Sequence, residues 1–530
     1  MERTVDAVII GSGINAMVAA AELGKAGWSV ALVEKNPEIG GFIASGELTE
    51  PGYVHDTYSS WHPLFVSGAA YAALGSDLHA QGLEYCNTDG PLTGSISPDG
   101  RAAVAHRDPA VTAAAFEHAS DRENYGLMLE QMGGRAPVVF GALGSELRTT
   151  AAVGLAAKAL RSFKLKGSES LARDALMSGR SFARERFKGD EADRLWAPWL
   201  LHAGLSPDSA TGGMMFAIMA LSMHGFGLPV VKGGAGEFVK AFRGVLEQNG
   251  VQIMTGTSVE RIIVADGRAT GVETSSGSIL ARRAVLAGTT PGALYRDLLP
   301  SAAVPARTRS EAARYRYGRA AMQLHLALDA PLTFTDARLD EAPLVHVSDG
   351  SGSTGVACAQ AEAGLLPSAP TVVIGRQHLL DPTRVPEGKG SLWLQLQEVP
   401  FELKGDASGT IAGADGGWSP DVVRAYVDRV LDRVQSVAPG LRDSILATEV
   451  ITPQDLEAYN PNAVAGDPYA GSAEIDQNLL WRPLPSAGNH KTAVKGVWHL
   501  GASSHPGPGL GAGSGHLVAT ALAKTHRPRG

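Results

Sequence analysis

Apolar and polar positions follow three different rhythms along this chain. Val5 to Ile10 is a continuous apolar run closed by Gly11, the pattern of a strand buried on both faces of a parallel sheet. A helical stretch follows to about Ala26, and Ser29 to Val33 give a second strand, so the opening reads as a βαβ unit. From 228 to 291 a glycine turn leads into a helix with Phe238, Phe242 and Leu246 on one face. Short strands carrying Val259, Ile262, Val264 and Val272 come next, around the turn "ADGRA". "AAMQLHLAL" and "SLWLQLQEV" alternate strictly. Met322, Leu324 and Leu326 oppose Gln323 and His325, while Leu392, Leu394 and Leu396 oppose Trp393, Gln395 and Gln397. Period two predicts an antiparallel sheet with one apolar face; the Gln/His face either lines a cavity or faces water, and solvent is the favoured neighbour. Near the end, "GVWHLGASSHPGPGLGAGSGHLVATALA" predicts a strand over 496–500, a Gly/Pro-rich crossing, and a helix from about Gly513 with Leu517, Val518, Ala521 and Leu522 inward. No run of about 18 apolar residues predicts a spanning helix; 209–231 lacks formal charge but is interrupted by glycines and a proline.

Composition narrows the class. A chain of 530 residues exceeds one ordinary core and predicts two domains or a discontinuous pair. Glycine, at 64 residues, is enriched without any G-x-y repeat, which points to tight turns and close backbone approaches. The net charge of −8 argues against nucleic acid as a partner. Cys86 and Cys358 form no CxxC, so neither a disulfide framework nor a thiol relay is expected. "MERTVDAVIIGSG" starts as a strand and lacks the features of a signal peptide, giving a cytoplasmic expectation.

The turn after the first strand supplies the chemistry. Gly11, Gly13 and Ala16 form G-x-G-x-x-A at the mouth of a helix. Gly11 serves the tight turn, Gly13 lets a pyrophosphate approach the helix N-terminus, and Ala16 permits close packing of helix on strand. Glu34 ends the second strand, where an acid accepts a ribose hydroxyl. "EKNPEIGG" then sets Glu34 and Lys35 four residues before Gly40 and Gly41. This resembles the E-R/K-x-x-x-x-G-G signature of the flavoproteins that include amine oxidases and phytoene desaturases, and it narrows the dinucleotide to FAD.

Taken in order, the opening turn, the 228–291 segment and the closing "GASSHPGPGLGAGSG" resemble the phytoene desaturase, carotenoid isomerase and retinol saturase superfamily. They are most like its pyridine nucleotide-disulfide oxidoreductase domain-containing branch. The resemblance implies a Rossmann-like, glutathione reductase-type FAD-binding domain from 1–75, 228–291 and 490–530. A substrate domain of antiparallel sheet and helices is implied from 76–227 and 292–489. It implies non-covalent FAD held by Gly11, Gly13, Ile14, Asn15, Ala16, Glu34, Lys35, Gly40, Gly41, Phe42, Val259, Gly501, Ala502, Gly511 and Ala512, with Val259 facing the adenine through its backbone. Gly501-Ala502 stands where many flavoproteins have Gly-Asp. A disulfide reductase would need a second nucleotide-binding domain and a dithiol, and neither is visible.

The implied reaction is hydride transfer from a C–H bond of a largely hydrophobic small molecule to flavin N5, by a dehydrogenase, desaturase or oxidase. A diffusing acceptor, oxygen or a quinone, would complete it. Flavin amine oxidation, redox-neutral carotenoid-type isomerisation and a non-catalytic flavin-stabilised interaction protein are the alternatives. Among fifteen histidines none has metal-ligand spacing. His505, on the closing loop, is the candidate acid or base because an imidazole titrates near neutrality. Residues 148–188 hold ten Lys or Arg against three acids. Three readings stand: a solvated helical face, an interface to an acidic partner surface, and a peripheral contact with anionic membrane.

Overall fold

The computed structural model describes residues 3–525. Two seven-stranded sheets organise it. In the first, Arg3–Ile10 lies between Val30–Val33 and Gly277–Ala287. Gln252–Met254 adds beyond the former and Val497–His499 beside the latter, all parallel. They run parallel because the helix Ile14–Lys25 carries the chain back between the first two strands. Val259–Ala265 and Arg268–Thr274 extend the far edge as antiparallel strands. Ile10 stands in register with both Val33 and Ala287, and Ala287 with His499, so four strands end along one line. In an open parallel sheet the ligand crevice lies at that carboxyl edge. The segments beginning at Gly11, Glu34, Gly288 and Leu500 all leave from it.

Both faces of this sheet are covered, as a continuous apolar strand requires. Ala7, Ile9 and Leu32 pack with Met17, Phe238, Phe242 and Val518 on one side. Val8, Ile10 and Val33 pack with Leu294, Tyr295 and Leu298 on the other.

The second sheet runs Ile445–Ile451, Ala320–Leu328, Gly390–Val399, Val372–Gly375, Leu344–Val347, Pro91–Ile96, Ala102–His106. All its pairings are antiparallel except that between Leu344–Val347 and Pro91–Ile96. The predicted alternation holds, but the expected exposure of its polar face does not: Gln323, His325, Trp393, Gln395 and Gln397 are all buried. Ala320–Leu328 is an interior strand. Its leucine face meets Tyr426, Val430 and Val434 of the helix Pro420–Gln435. Its Gln/His face lies against residues 57–58, where Gln323 Nε2 donates to the Tyr58 carbonyl at 2.9 Å and His325 Nε2 to that of Thr57 at 3.1 Å. Within 209–231, Gly212 and Gly213 form the first turn of a helix Gly212–Phe226, which Gly227, with a φ of 74°, ends just before Pro229. Among the described residues no helix is long and apolar enough to cross a membrane.

Candidate functional site

The first helix begins without a side-chain cap. Its N-cap is Gly13, and a Cβ there would meet nothing within 4 Å. Gly11 has a positive φ of 82° and donates its N–H to the Val33 carbonyl, which fixes the tight turn. Ala16 is buried toward Gly288, where an added Cβ would come within 3.8 Å of the Ala16 methyl. A bare helix N-terminus facing open space is an anion site, since N–H groups and the positive pole of the helix point into it.

Glu34 forms the adjoining wall. Ser12 donates to its Oε2 from the backbone N–H at 2.9 Å and from Oγ at 2.6 Å, and the Asn36 N–H donates to Oε1 at 2.8 Å. Three of about four acceptor positions on the carboxylate are thus filled, and one remains for a hydroxyl. The strand carrying Val259 reaches this wall because the Gly256 and Thr257 N–H groups donate to the Asn36 and Glu34 carbonyls. Lys35 is exposed.

Gly40 and Gly41 are needed by the protein itself. Both have positive φ, 121° and 60°. A Cβ on Gly40 would lie 2.7 Å from the Ile43 carbonyl, and one on Gly41 would lie 3.1 Å from the Gly13 Cα. The Gly40 N–H also donates to the Ser12 carbonyl at 3.2 Å, so the pair backs the nucleotide turn. Phe42 joins Tyr58 and Tyr459, whose rings pack at a 30° tilt with centroids 4.5 Å apart.

The closing helix Gly513–Thr525 packs its start directly on that of the first. The Gly515 N–H donates to Asn15 Oδ1 at 3.0 Å, and a Cβ on Gly515 would overlap the Asn15 carbonyl. Two helix N-termini, one led by Ile14 and Asn15 and the other by Ala512 and Gly513, therefore meet at the carboxyl edge of the sheet. The crossing before the second is tied from both sides. The Gly501 N–H donates to Ser514 Oγ, and the Ala502 carbonyl accepts Arg482 Nε and Nη2 at 3.1 and 2.7 Å. Gly511 passes close to Leu64, where a Cβ would lie 3.4 Å from the Leu64 carbonyl.

His505 lies in this crossing, yet its surroundings correct the expectation that it titrates near neutrality. Nε2 donates to the Ala142 carbonyl at 3.0 Å, Nδ1 is buried without a partner among the described residues, and burial pushes the imidazole down to about 4. It is neutral at physiological pH and anchors the loop to the helix Ala119–Leu143.

Sequence reasoning passed over Arg482 and Asp467. Arg482 is fully buried and also donates to the Tyr469 and Ser472 carbonyls. Asp467 accepts the Gly318, Tyr469 and Gly471 N–H groups. Nothing in "LWRPLP" or "AGDPYAG" marks these residues, since each acts through backbone groups, and those of Gly318 for Asp467 and of Tyr469, Ser472 and Ala502 for Arg482 lie outside the quoted stretches. The polar wall of the second sheet was signalled by the alternation in 320–328 and 390–399. Trp393 Nε1 donates to Gln323 Oε1 at 3.3 Å and Gln397 Nε2 to Tyr469 Oη at 2.9 Å, whereas the Gln395 amide has no hydrogen-bond partner among the described residues.

The donor set fits FAD. An open cradle at Gly13 that a Cβ would fill, an acceptor left on Glu34, and two converging helix N-termini match a pyrophosphate, a ribose and the electron-rich edge of a flavin. Fold and site thus define a flavin adenine dinucleotide oxidoreductase. The model of the flavin containing amine oxidoreductases matches residues 17–393, and the chain belongs to that family. It is 25% identical to the pyridine nucleotide-disulfide oxidoreductase domain-containing protein 2 of Rattus norvegicus, over 97% of this chain and 93% of the relative. It is 24% identical to the neurosporene-forming phytoene desaturase of Rhodobacter capsulatus, over 98% and 94%. Among solved structures, putrescine oxidase bound to putrescine superposes with a TM-score of 0.63 at 15% identity, over 99% of both chains, a likeness of fold.

Proposed function

We propose that this protein is an FAD-dependent dehydrogenase, desaturase or oxidase acting on a C–H bond of a largely apolar small molecule that carries at least one hydrogen-bonding group. FAD supplies the difficult chemistry, acceptance of a hydride equivalent, which accords with the absence of any paired-carboxylate or nucleophile signature in the chain. The protein's own residues hold the pyrophosphate at Gly13, the ribose at Glu34 and the flavin end at the Gly501–Ala512 crossing. The two electrons leave with a diffusing acceptor such as oxygen or a quinone.

One observation carries the substrate reading. Gln395 pairs in register with Gln323, so both amides project from one sheet face, and Gln323 reaches the Tyr58 carbonyl. That face looks toward the segment following Gly40–Phe42, and its one unpartnered amide is Gln395. The Gln395 side chain is 7% exposed, and an amide in such a wall with no protein partner is free to take a hydrogen bond from a ligand in place of water. The amine oxidase alternative gains little from the aromatic group, because the Tyr58 and Tyr459 rings pack against each other with centroids 4.5 Å apart and leave no gap between them for a cation.

An anaerobic screen of polyenes, amines and alcohols tests the reaction by loss of flavin absorbance. Bleaching of oxidised flavin by a substrate is expected; turnover only after prior reduction, with an isomeric product, would replace this reading with the isomerase. For the bleaching substrate, Gln395→Leu should raise KM about tenfold or more with kcat little changed, as loss of one uniform binding contact does. An unchanged KM would remove Gln395 from substrate binding.

A further inference from the structure

The basic segment separates into two halves with different electrostatics. From 173 onward three of its five cations are engaged within the protein: Arg173 pairs with Glu185 at 2.6 Å, Arg180 with Asp208 at 2.6 Å, and Arg186 with Asp174 at 2.8 Å, while Arg184 and Lys188 are in no ion pair among the described residues. Before that, between Glu146 and Glu169, five cations occur with no acid. Arg148 is fixed on the Leu480 and Pro485 carbonyls. Lys158, Arg161, Lys164 and Lys166 are in no ion pair among the described residues.

The same stretch holds the most exposed apolar side chains of the chain. Thr150–Leu176 is helical, yet Asp174 is its one fully buried residue. Leu155 packs inward against Gly141, while Val153, Ala157 and Leu160, at i, i+4 and i+7, line the outer face. Val153 is 71% exposed and Leu160 53%. The helix breaks at Lys164, whose φ of 56° lies in the left-handed region that side chains other than glycine rarely adopt. At that corner stands Leu165, 75% exposed, between Lys164 and Lys166. An apolar stripe ending in a protruding leucine and flanked by unpaired cations is what a helix lying in a bilayer interface presents, with leucines entering the acyl boundary and lysine stems reaching back to headgroups.

We propose that residues 150–166 form a peripheral membrane contact that binds an anionic lipid surface. The occupant follows from charge complementarity: four unpaired cations beside the apolar stripe select a negative surface, and a second copy would bring like charges together at the same face. The root of this arm adjoins the cofactor-end loop through the Ala142 carbonyl on His505, and through Glu146 on His490. The proposal stands independently of the reaction and the substrate.

The test uses the full FAD-loaded chain in vesicle co-sedimentation. Wild type should bind equimolar phosphatidylglycerol/phosphatidylcholine vesicles, release in molar salt where the screening length is about 3 Å, and not bind phosphatidylcholine alone. Lys158→Gln/Arg161→Gln/Lys166→Gln should weaken the partition on the order of a hundredfold. Leu160→Glu/Leu165→Glu should abolish it. All five side chains are exposed, so melting temperature and flavin absorbance should be unchanged in both variants. Equal binding to both vesicle types, no binding by wild type, or wild-type binding by the charge variant would each overturn the proposal. So would a concentration-dependent dimer, seen in sedimentation velocity and lost in Leu160→Glu, without lipid binding.

Discussion

Gly13→Ala separates a glycine kept for the ligand from one kept for the fold. Gly13 has φ −60° and ψ 168°, a conformation open to any residue, and a Cβ there touches no protein atom within 4 Å. The protein alone gives no reason for glycine, and alanine should stabilise the cofactor-free chain by about 0.4–1 kcal/mol through the unfolded state. The same methyl occupies the space at the bare helix N-terminus. If it forces a pyrophosphate off one charge-assisted N–H bond, about 1.5–3 kcal/mol is lost, or roughly ten- to a hundredfold in Kd. FAD at a hundred times the wild-type Kd stabilises wild type by about 2.7 kcal/mol, but a variant with a hundredfold weaker Kd by only about 0.4 kcal/mol. Deflavinated and FAD-loaded samples should therefore part company in thermal melts: the apo variant at or slightly above wild type, the loaded variant well below. Gly41→Ala is the control. Its φ of 60° and a Cβ only 3.1 Å from the Gly13 Cα should lower the melting temperature of the cofactor-free chain itself. Wild-type FAD affinity in Gly13→Ala, or a destabilised apo form, would overturn the assignment of that space to the pyrophosphate.

Two further predictions concern buried charge. Arg384 lies 2.8 Å from Asp56 and 3.3 Å from Asp381, all three buried, and these carboxylates also accept the Ala235 and Gly233 N–H groups. Arg384→Met should cost about 3–5 kcal/mol in urea unfolding because it strands two acids, while adding Asp56→Asn should recover part of the loss; a cost under about 1 kcal/mol would contradict this. Glu398 is fully buried, and burial pushes its carboxyl from 4.5 up to about 7. The folded chain therefore binds that proton more tightly than the unfolded chain. Its contribution is complete below about 4.5 and is lost as pH rises through 7, some 3 kcal/mol in all. Unfolding midpoints between pH 5 and 7.5 should fall less steeply in Glu398→Gln than in wild type, and equal slopes would exclude the residue.

The nucleotide turn was legible because its signals are local. The strand, Gly11, Gly13 and the first helix lie within one βαβ unit, and Glu34 follows at the end of the next strand. A motif of that kind is enforced by backbone geometry, so residue type alone reports it. Alternation in 320–328 was equally plain, but it fixes only which side chains share a face, not what lies opposite. The partner of that face is the segment around Thr57 and Tyr58, more than two hundred residues earlier, and no periodicity encodes that meeting. Arg482 and Asp467 are illegible for a related reason. Each binds main-chain carbonyls or N–H groups, which every residue has, so the sequences of their partners carry no imprint. His505 illustrates the opposite error. Its place on the closing loop was readable, whereas its protonation depends on the Ala142 carbonyl and on burial beneath a helix that the loop sequence does not contain. Side chains whose role is set by distant backbone are therefore where a structure adds most to this sequence. Gln395 belongs with them: its neighbours in the strand favour a wetted amide over a buried one, and only the register with Gln323 places it on the wall that faces the nucleotide-binding unit.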